Sequence, residues 1–454
     1  MPLRSLAKPG LSPSPARRAA LLGALTAAIL SLGLASCARA NGDELPPPPP
    51  PARFRADAEA IVARLSPARK AAEVLLVGVG GKGRPSAESL ALLDKLEPGG
   101  VVLFGFNVGA EAAELGPFVA ELQSLASAKG RLPFLVAIDH EGGSVFRFRG
   151  GITRLPSPAS VGARGPDYAA LLGRRAGLEL QALGVNLALA PVVELLDEGN
   201  RELLGDRSYG RDPAKVDAAA GAFIAGLQSA GVAATAKHFP GNAGADPHKL
   251  LPVLKATRAE FERDFYPRFA AARRAGVGAV LLSHVLVPAV DPKRPATLSP
   301  ALVRDELKTK LGFEGVVLTD DLYMKALAAE RPPELSAVEA LNAGADLLML
   351  SAGGSAPRVR DAILRAVEAG RLPASRLDDA AARVVALKLR FGMAAALDPD
   401  VRAGRLAAFP ALVEESGRLL AESGSGTAGA AAGQAAGARA AGAVKTNLPA
   451  RKRR

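Results

Sequence analysis

The sequence predicts an α/β chain folded as a single (β/α)₈ TIM barrel, and three observations carry that expectation. Short apolar, β-branched runs recur along the middle of the chain, each followed by a stretch with helical periodicity. There are eight such strand-like runs. Ionisable residues gather where the runs end, which in a barrel is the rim that carries the chemistry.

The expected strands are 73–79, 100–104, 134–139, 185–193, 232–238, 279–284, 316–320 and 345–350. Continuous apolar strands are buried on both faces, as a parallel sheet requires. Expected helices between them include 168–183, 213–230 and 258–275. Eight strand–helix units point to a closed barrel more readily than to an open sheet. The barrel is expected over 53–393, with a helical extension at 394–422 and no second domain of useful size. The stretch 423–454 is rich in Gly, Ala and Ser, has no apolar period and is expected to be disordered. It ends in the basic tip Arg451-Lys452-Arg453-Arg454, read as a solvated tail.

Composition sets outer bounds. The 454 residues suffice for one large domain, and with 49% hydrophobic residues a large core can form. The net charge is +12, but the basic residues are spread along the chain rather than gathered in one stripe. No aromatic-interleaved basic motif stands out, so arginine-rich helix faces are favoured over a nucleic-acid partner. The single cysteine excludes an internal disulfide and a cysteine-based metal site.

That cysteine is Cys37, at the end of Leu34-Ala35-Ser36-Cys37. Arg4, Lys8, Arg17 and Arg18 precede an uncharged run from Ala19 to Leu34. A charged start, an apolar stretch of this length and then small residues describe a secretory signal, not a stable span. The cysteine placement resembles a bacterial lipoprotein processing site. That resemblance implies removal of 1–36, lipidation of Cys37, and a membrane-anchored protein of the cell envelope. The alternative is an ordinary signal peptide with Cys37 incidental. The segment 37–52 then reads as a linker, because the six prolines Pro46 to Pro51 form an extended, semi-rigid spacer.

The strand ends carry the candidate chemistry. The third is Asp139-His140-Glu141-Gly142-Gly143, and the fourth strand is followed by Gly205-Asp206-Arg207-Ser208-Tyr209-Gly210. The fifth ends in Lys237-His238-Phe239-Pro240-Gly241, the sixth in Ser283-His284, and the seventh in Thr319-Asp320-Asp321-Leu322-Tyr323-Met324. All four histidines of the chain fall on this rim or in its loops. Asp320 closes the run Gly315-Val316-Val317-Leu318, and a carboxylate at the tip of a buried strand is costly unless used or paired. Asp321 reads as a structural acid that caps the next helix or pairs with a base.

These segments resemble family 3 glycoside hydrolases, specifically the β-N-acetylhexosaminidase branch, over nearly the whole barrel. Retaining glycosidases need a carboxylate nucleophile and a separate proton donor. The resemblance implies Asp320 as nucleophile. It further implies that an Asp–His pair in the loop after strand five works as proton donor and then base, here Asp246 and His248. Histidine suits both duties because its pKa lies near working pH. With no second domain to bring an acid, a barrel loop is expected to supply it. The alternative is that His248 is a loop residue making a backbone contact.

The chain departs from the family pattern in this loop. Asn242-Ala243-Gly244-Ala245 stands where His-Gly-Asp-Thr-like residues are usual, the loop looks about two residues shorter, and Pro247 replaces the usual Ser. Proline fixes its own φ and biases Asp246 toward an extended backbone, leaving the pair either more rigid or displaced.

Asp139, Arg207, Lys237 and His238 match substrate-contacting positions of the family. Asp139 can accept from two sugar hydroxyls, while Arg207, Lys237 and His238 can donate. Alternatively Arg207 pairs with Asp206 or Asp212 as a surface ion pair, and His238 is a satisfied core histidine. Glu141 and Arg147 read as supporting residues. No metal or other cofactor is expected, because the histidines lack ligand spacing on one element. The expected protein is a monomeric exo-β-N-acetylhexosaminidase on peptidoglycan fragments or chitin-like oligosaccharides. The alternatives are a β-glucosidase or phosphorylase on the same barrel, or a lipoprotein that binds glycan without cleaving it.

Overall fold

The computed structural model describes residues 49–439, with side chains through residue 423. Residues 1–36 expected as a signal, Cys37, the first three prolines of the run and the basic tip lie outside the described residues.

Eight parallel strands form the barrel: β1 (Leu75–Gly78), β2 (Gly100–Leu103), β3 (Leu135–Ile138), β4 (Leu187–Ala188), β5 (Ala233–Phe239), β6 (Ala279–Leu282), β7 (Val316–Thr319) and β8 (Leu348–Leu350). Each pairs with its sequence neighbour, and β1 pairs with β8. A parallel bridge between Leu318 and Leu347 joins β7 to β8 and closes the ring. Every expected strand is therefore present, and the barrel expectation holds. The observed strands are shorter than the apolar runs, most of all at β4, because the run continues past the paired segment into buried loop.

Side chains alternate across the strands as strand geometry requires. Leu76, Val102, Leu135, Leu187, Leu281 and Leu318 point into the barrel and pack together there. Their neighbours Val77, Val101, Val136, Val280 and Val317 point outward against the helices. The interior is thus a filled core rather than a channel.

The helices that return the chain are α1 (Ala87–Leu96), α2 (Leu115–Ala128), α3 (Pro166–Ala182), α4 (Pro213–Ser229), α5 (Tyr266–Arg274), α6 (Ala301–Lys310), α7 (Pro333–Ala343) and α8 (Ala356–Glu368). Their starts follow from local chemistry. Asp212 accepts from the amides of Ala214 and Lys215 with Pro213 in the first turn of α4. Glycines bring α3 and α4 into close contact: a Cβ at Gly173 would lie 2.4 Å from the Phe223 carbonyl oxygen.

A further helix, α9 (Ala374–Arg390), crosses the N-terminal end of the barrel, where Val384 and Leu387 join the interior core. Its Arg390 donates to the carbonyls of Pro49 (2.7 Å) and Gly276 (2.6 Å). The proline run therefore reaches the barrel at the end away from the rim. Helix α10 (Pro399–Arg439) packs back on α3, where Arg175 donates to Ser416 (2.8 Å) and to the Leu412 carbonyl (3.0 Å). It runs on through the first part of the stretch read from composition as disordered. Alanine is the best intrinsic helix former, and this part of the tail is alanine-rich.

Candidate active site

The C-terminal strand ends open on a cavity of about 310 Å³. Asp139, Arg207, Lys237, His238, His248 and Asp320 all line it. Six of the seven barrel residues singled out from sequence thus share one cavity, and the seventh, Asp246, is bonded to His248.

The floor is a buried charge cluster. Strand β5 brings up Lys237, whose Nζ lies 2.9 Å from Asp139 Oδ1 and 2.5 Å from Glu141 Oε1. Arg147 takes the other Asp139 oxygen at 2.6 Å. Arg207 grips Glu141 with two parallel bonds, Nε to Oε2 at 2.8 Å and Nη2 to Oε1 at 2.9 Å. Its partner is therefore Glu141, not Asp206 or Asp212. Asp206 instead accepts from Ser144, and Asp212 caps α4.

This cluster keeps its acids ionised. Burial opposes the charge on Asp139, but the Lys237 and Arg147 cations outweigh it and hold the carboxyl below its ordinary range. Glu141 is likewise lowered, burial being overcome by Lys237 and Arg207. Asp139 therefore presents an anionic acceptor to the cavity. Arg207 has spent Nε and Nη2 on Glu141 and keeps Nη1 for another partner.

His238 is fixed from behind by Glu194, the residue after the β4 run. Glu194 Oε1 lies 2.8 Å from His238 Nδ1 and accepts the His238 amide at 3.1 Å. Its other oxygen accepts the Asn242 amide at 2.6 Å. A carboxylate can only accept, so Nδ1 carries a proton and Nε2 is the ring nitrogen left for the cavity.

The loop after β5 carries the Asp–His pair. His248 Nδ1 lies 2.9 Å from Asp246 Oδ1, which also accepts the His248 amide at 2.9 Å. The backbone amide of His248, with its ring, holds the Asp246 carboxyl below its ordinary value. The loop is tied to the segment after β7, where the Ala326 amide donates to the Pro247 carbonyl at 3.0 Å. The His248 side chain is 74% exposed, so the far side of its ring is open to an incoming group.

Asp320 stands at the tip of β7 and accepts from the Asp321 amide at 2.8 Å. Asp321 is structural: its Oδ1 accepts the amides of Tyr323 (3.3 Å) and Ser351 (2.9 Å), strapping β7 to the end of β8. It caps local backbone rather than pairing with a base. His140 lies off the cavity between Phe146 and Phe148, and burial lowers its ring to about 3, so it is neutral. Among the described residues, no group of three or more His, Cys, Asp or Glu side chains is placed to hold a metal ion.

Sequence reasoning missed Glu194 and Asn242. Glu194 follows Val192-Val193 at a strand end, the same signal that found Lys237 and Asp320, and it is 4% exposed. Asn242 had no such signal, because its role depends on Glu194 and on Ser283, which donates to its Oδ1 at 2.8 Å.

The barrel and this rim define a TIM-barrel enzyme whose cavity is lined by a strand-end carboxylate and a loop histidine. Residues 68–387 match the glycosyl hydrolase family 3 N-terminal domain, and the chain belongs to that family. It is 38% identical over 282 residues to a protein named beta-hexosaminidase from Thioalkalivibrio sulfidiphilus, covering 60% of this chain and 79% of that one. Among solved structures it resembles a family 3 β-N-acetylglucosaminidase from Paenibacillus sp. (37% identity, TM-score 0.70), covering 72% of this chain and 63% of that longer one. It also resembles a β-N-acetylhexosaminidase from Beutenbergia cavernae (32% identity, TM-score 0.66), covering 72% of this chain and 99% of that one.

Proposed function

We propose that this chain is a retaining exo-β-N-acetylhexosaminidase. The observation that carries the reading is the formed Asp246–His248 pair, whose histidine opens on the same cavity as Asp320. The names of the relatives support the amino-sugar class.

The chemistry proceeds in two displacements. An Asp320 oxygen attacks the anomeric carbon and the glycosidic C–O bond breaks. The departing oxygen takes a proton from His248 Nε2, leaving a neutral ring held at Nδ1 by Asp246. That ring then takes a proton from water. The water oxygen attacks the anomeric carbon, the bond to Asp320 breaks, and the carboxylate and imidazolium are restored. Asp139, Arg207, Lys237 and His238 hold the hydroxyls of the departing-side sugar's partner, the residue bound in the cavity. Peptidoglycan fragments and chitin-like oligosaccharides are the proposed substrates.

The test is release of a chromophore from an aryl N-acetyl-β-glucosaminide. Asp320→Ala should lose about 10⁴-fold or more, as removal of a nucleophile does. Wild-type rates in that variant would remove the assignment. Faster turnover of the glucoside, or a phosphate-dependent rate, would select a β-glucosidase or a phosphorylase instead.

The segment before the barrel supports an envelope location. A lipid on Cys37, followed by the proline spacer, would tether the protein by the barrel end away from the cavity. Metabolic labelling with a fatty acid, lost in Cys37→Ala, tests the anchor.

A further inference from the structure

His284 has no part in the chemistry above, yet it sits two residues past β6, fully buried, with both ring nitrogens engaged. Nε2 lies 3.0 Å from the carbonyl oxygen of Asp321, and Nδ1 lies 2.7 Å from the Thr297 hydroxyl. A carbonyl can only accept, so Nε2 carries a proton. Burial lowers the ring's pKa against the opposing pull of Asp320 and Asp321, so the ring is neutral and Nδ1 is bare. The Thr297 hydroxyl then donates to Nδ1. Its 3.1 Å contact with the Ser283 carbonyl is the alternative for the same proton.

What the ring holds matters more than the ring. Asp321 is clamped through its carboxylate by the Tyr323 and Ser351 amides and through its carbonyl by the Met324 amide (2.9 Å) and, from the neighbouring strand, by His284. That leaves its own amide, which donates to Asp320 Oδ1. Among the described residues this amide is the only hydrogen-bond donor to the Asp320 carboxylate. The orientation of that carboxylate therefore depends on the placement of one neighbouring residue. We propose that His284 is a positioning residue for the nucleophile, fixing Asp321 so that its amide aims the Asp320 carboxylate at the anomeric carbon. Thr297 acts one step further out by setting the tautomer.

The proposal rests on Asp320 being the nucleophile. It distinguishes placement of the attacking atom from simple filling of the core. A mispositioned attacking group slows bond formation while leaving ground-state sugar contacts in place.

Three substitutions at His284 separate these effects. His284→Gln keeps an N–H near the position of Nε2. His284→Phe keeps the volume and loses the donor, and His284→Ala loses both. The readouts are kcat and KM on an aryl N-acetyl-β-glucosaminide, the affinity for N-acetylglucosamine, and the rate of covalent trapping by a 5-fluoro N-acetylglucosaminyl fluoride. Phe and Ala should lower kcat and the trapping rate about 10–100-fold, with affinity for N-acetylglucosamine within about twofold. Gln should recover most of the loss. Wild-type kcat in His284→Phe overturns the proposal, as does a Gln variant no better than Phe. If the His284 variants do not fold, Thr297→Val decides: a fall in kcat at constant KM supports the proposal and an unchanged kcat overturns it. Retained activity in Asp320→Ala would instead remove the underlying assignment, so the two failures are distinct.

Discussion

His248 Nδ1 lies 2.9 Å from Asp246 Oδ1 although a proline separates the two residues. The same Oδ1 accepts the His248 amide at 2.9 Å, so one carboxylate oxygen folds the three-residue turn and orients the ring. This Asx-type turn needs a free amide at the third residue, not the second, which is why Pro247 is tolerated. Of the two outcomes left open by the sequence, the pair is formed rather than displaced. Proline's fixed φ suits the bond already present.

Pro247→Ser should therefore keep the pair and leave kcat within about threefold, while raising the entropy of the unfolded loop. The expected cost is about 0.4–1 kcal/mol of loop stability, the usual size of a compatible proline effect. Hydrogen exchange across 242–256 measures it. A large loss of kcat with unchanged exchange would show that the proline itself shapes the site.

Lys237 lies between Asp139 and Glu141, and its removal has a pH signature. Both carboxyls are lowered from ordinary values of 3.8 and 4.5. An acid whose folded pKa is depressed adds stability above its unfolded value and loses it as pH falls through the folded one. Lys237→Met raises both folded values, so it removes stability chiefly above pH 4.5. The loss at pH 7 should be about 3 kcal/mol, the scale for stranding buried charge. It should shrink as pH falls below the ordinary values of 4.5 and 3.8 toward the depressed folded ones. Thermal melts of both proteins across that range check it, and a gap independent of pH would mean that the lysine acts by packing alone.

Glu194→Gln tests the tautomer of His238. An amide in place of the carboxylate can donate to Nδ1, which would move the proton held there to Nε2 and change what the ring offers the cavity. The sugar hydroxyl there loses its partner, so KM should rise about tenfold, the size of one hydrogen bond to a ligand. The melting temperature should fall only slightly. An unchanged KM would show that His238 does not contact substrate.

How far the sequence reaches can be seen at these residues. The strand ends were legible because a polar residue after an apolar run is a local signal, and Lys237, Asp139 and Asp320 each show it. What was not legible is pairing across strands. Arg207 has nearby acids in sequence, yet its partner is Glu141, 66 positions away. The role of His284 depends on Asp321 from the next strand, and the donor or acceptor character of His238 depends on Glu194 from the previous one. Such facts are set by barrel closure, which brings residues together that no local period relates.

His248 bears the sharpest prediction. If its Nε2 gives a proton to the leaving oxygen and later takes one from water, His248→Ala impairs both steps. Glycosylation should suffer in proportion to the leaving group's need for that proton. An aryl leaving group of low pKa departs as an anion with little help, while a sugar hydroxyl needs protonation, so the rate should depend more steeply on leaving-group pKa in the variant. Asp246→Asn should be milder, because the ring stays while losing its orienting charge. The two carboxylate bonds to His248 put that charge beside Nδ1 and fix the plane of the ring. Asp246→Asn should therefore lower kcat/KM by less than His248→Ala does, and most for leaving groups that need the proton. The measurement is rate against leaving-group pKa for the three proteins, with the pH profile of each. Equal slopes for wild type and His248→Ala would mean that another group donates. Glu141 would be a poor replacement, because Lys237 and Arg207 hold it ionised, so the search would turn to carboxylates brought by the substrate or the rim.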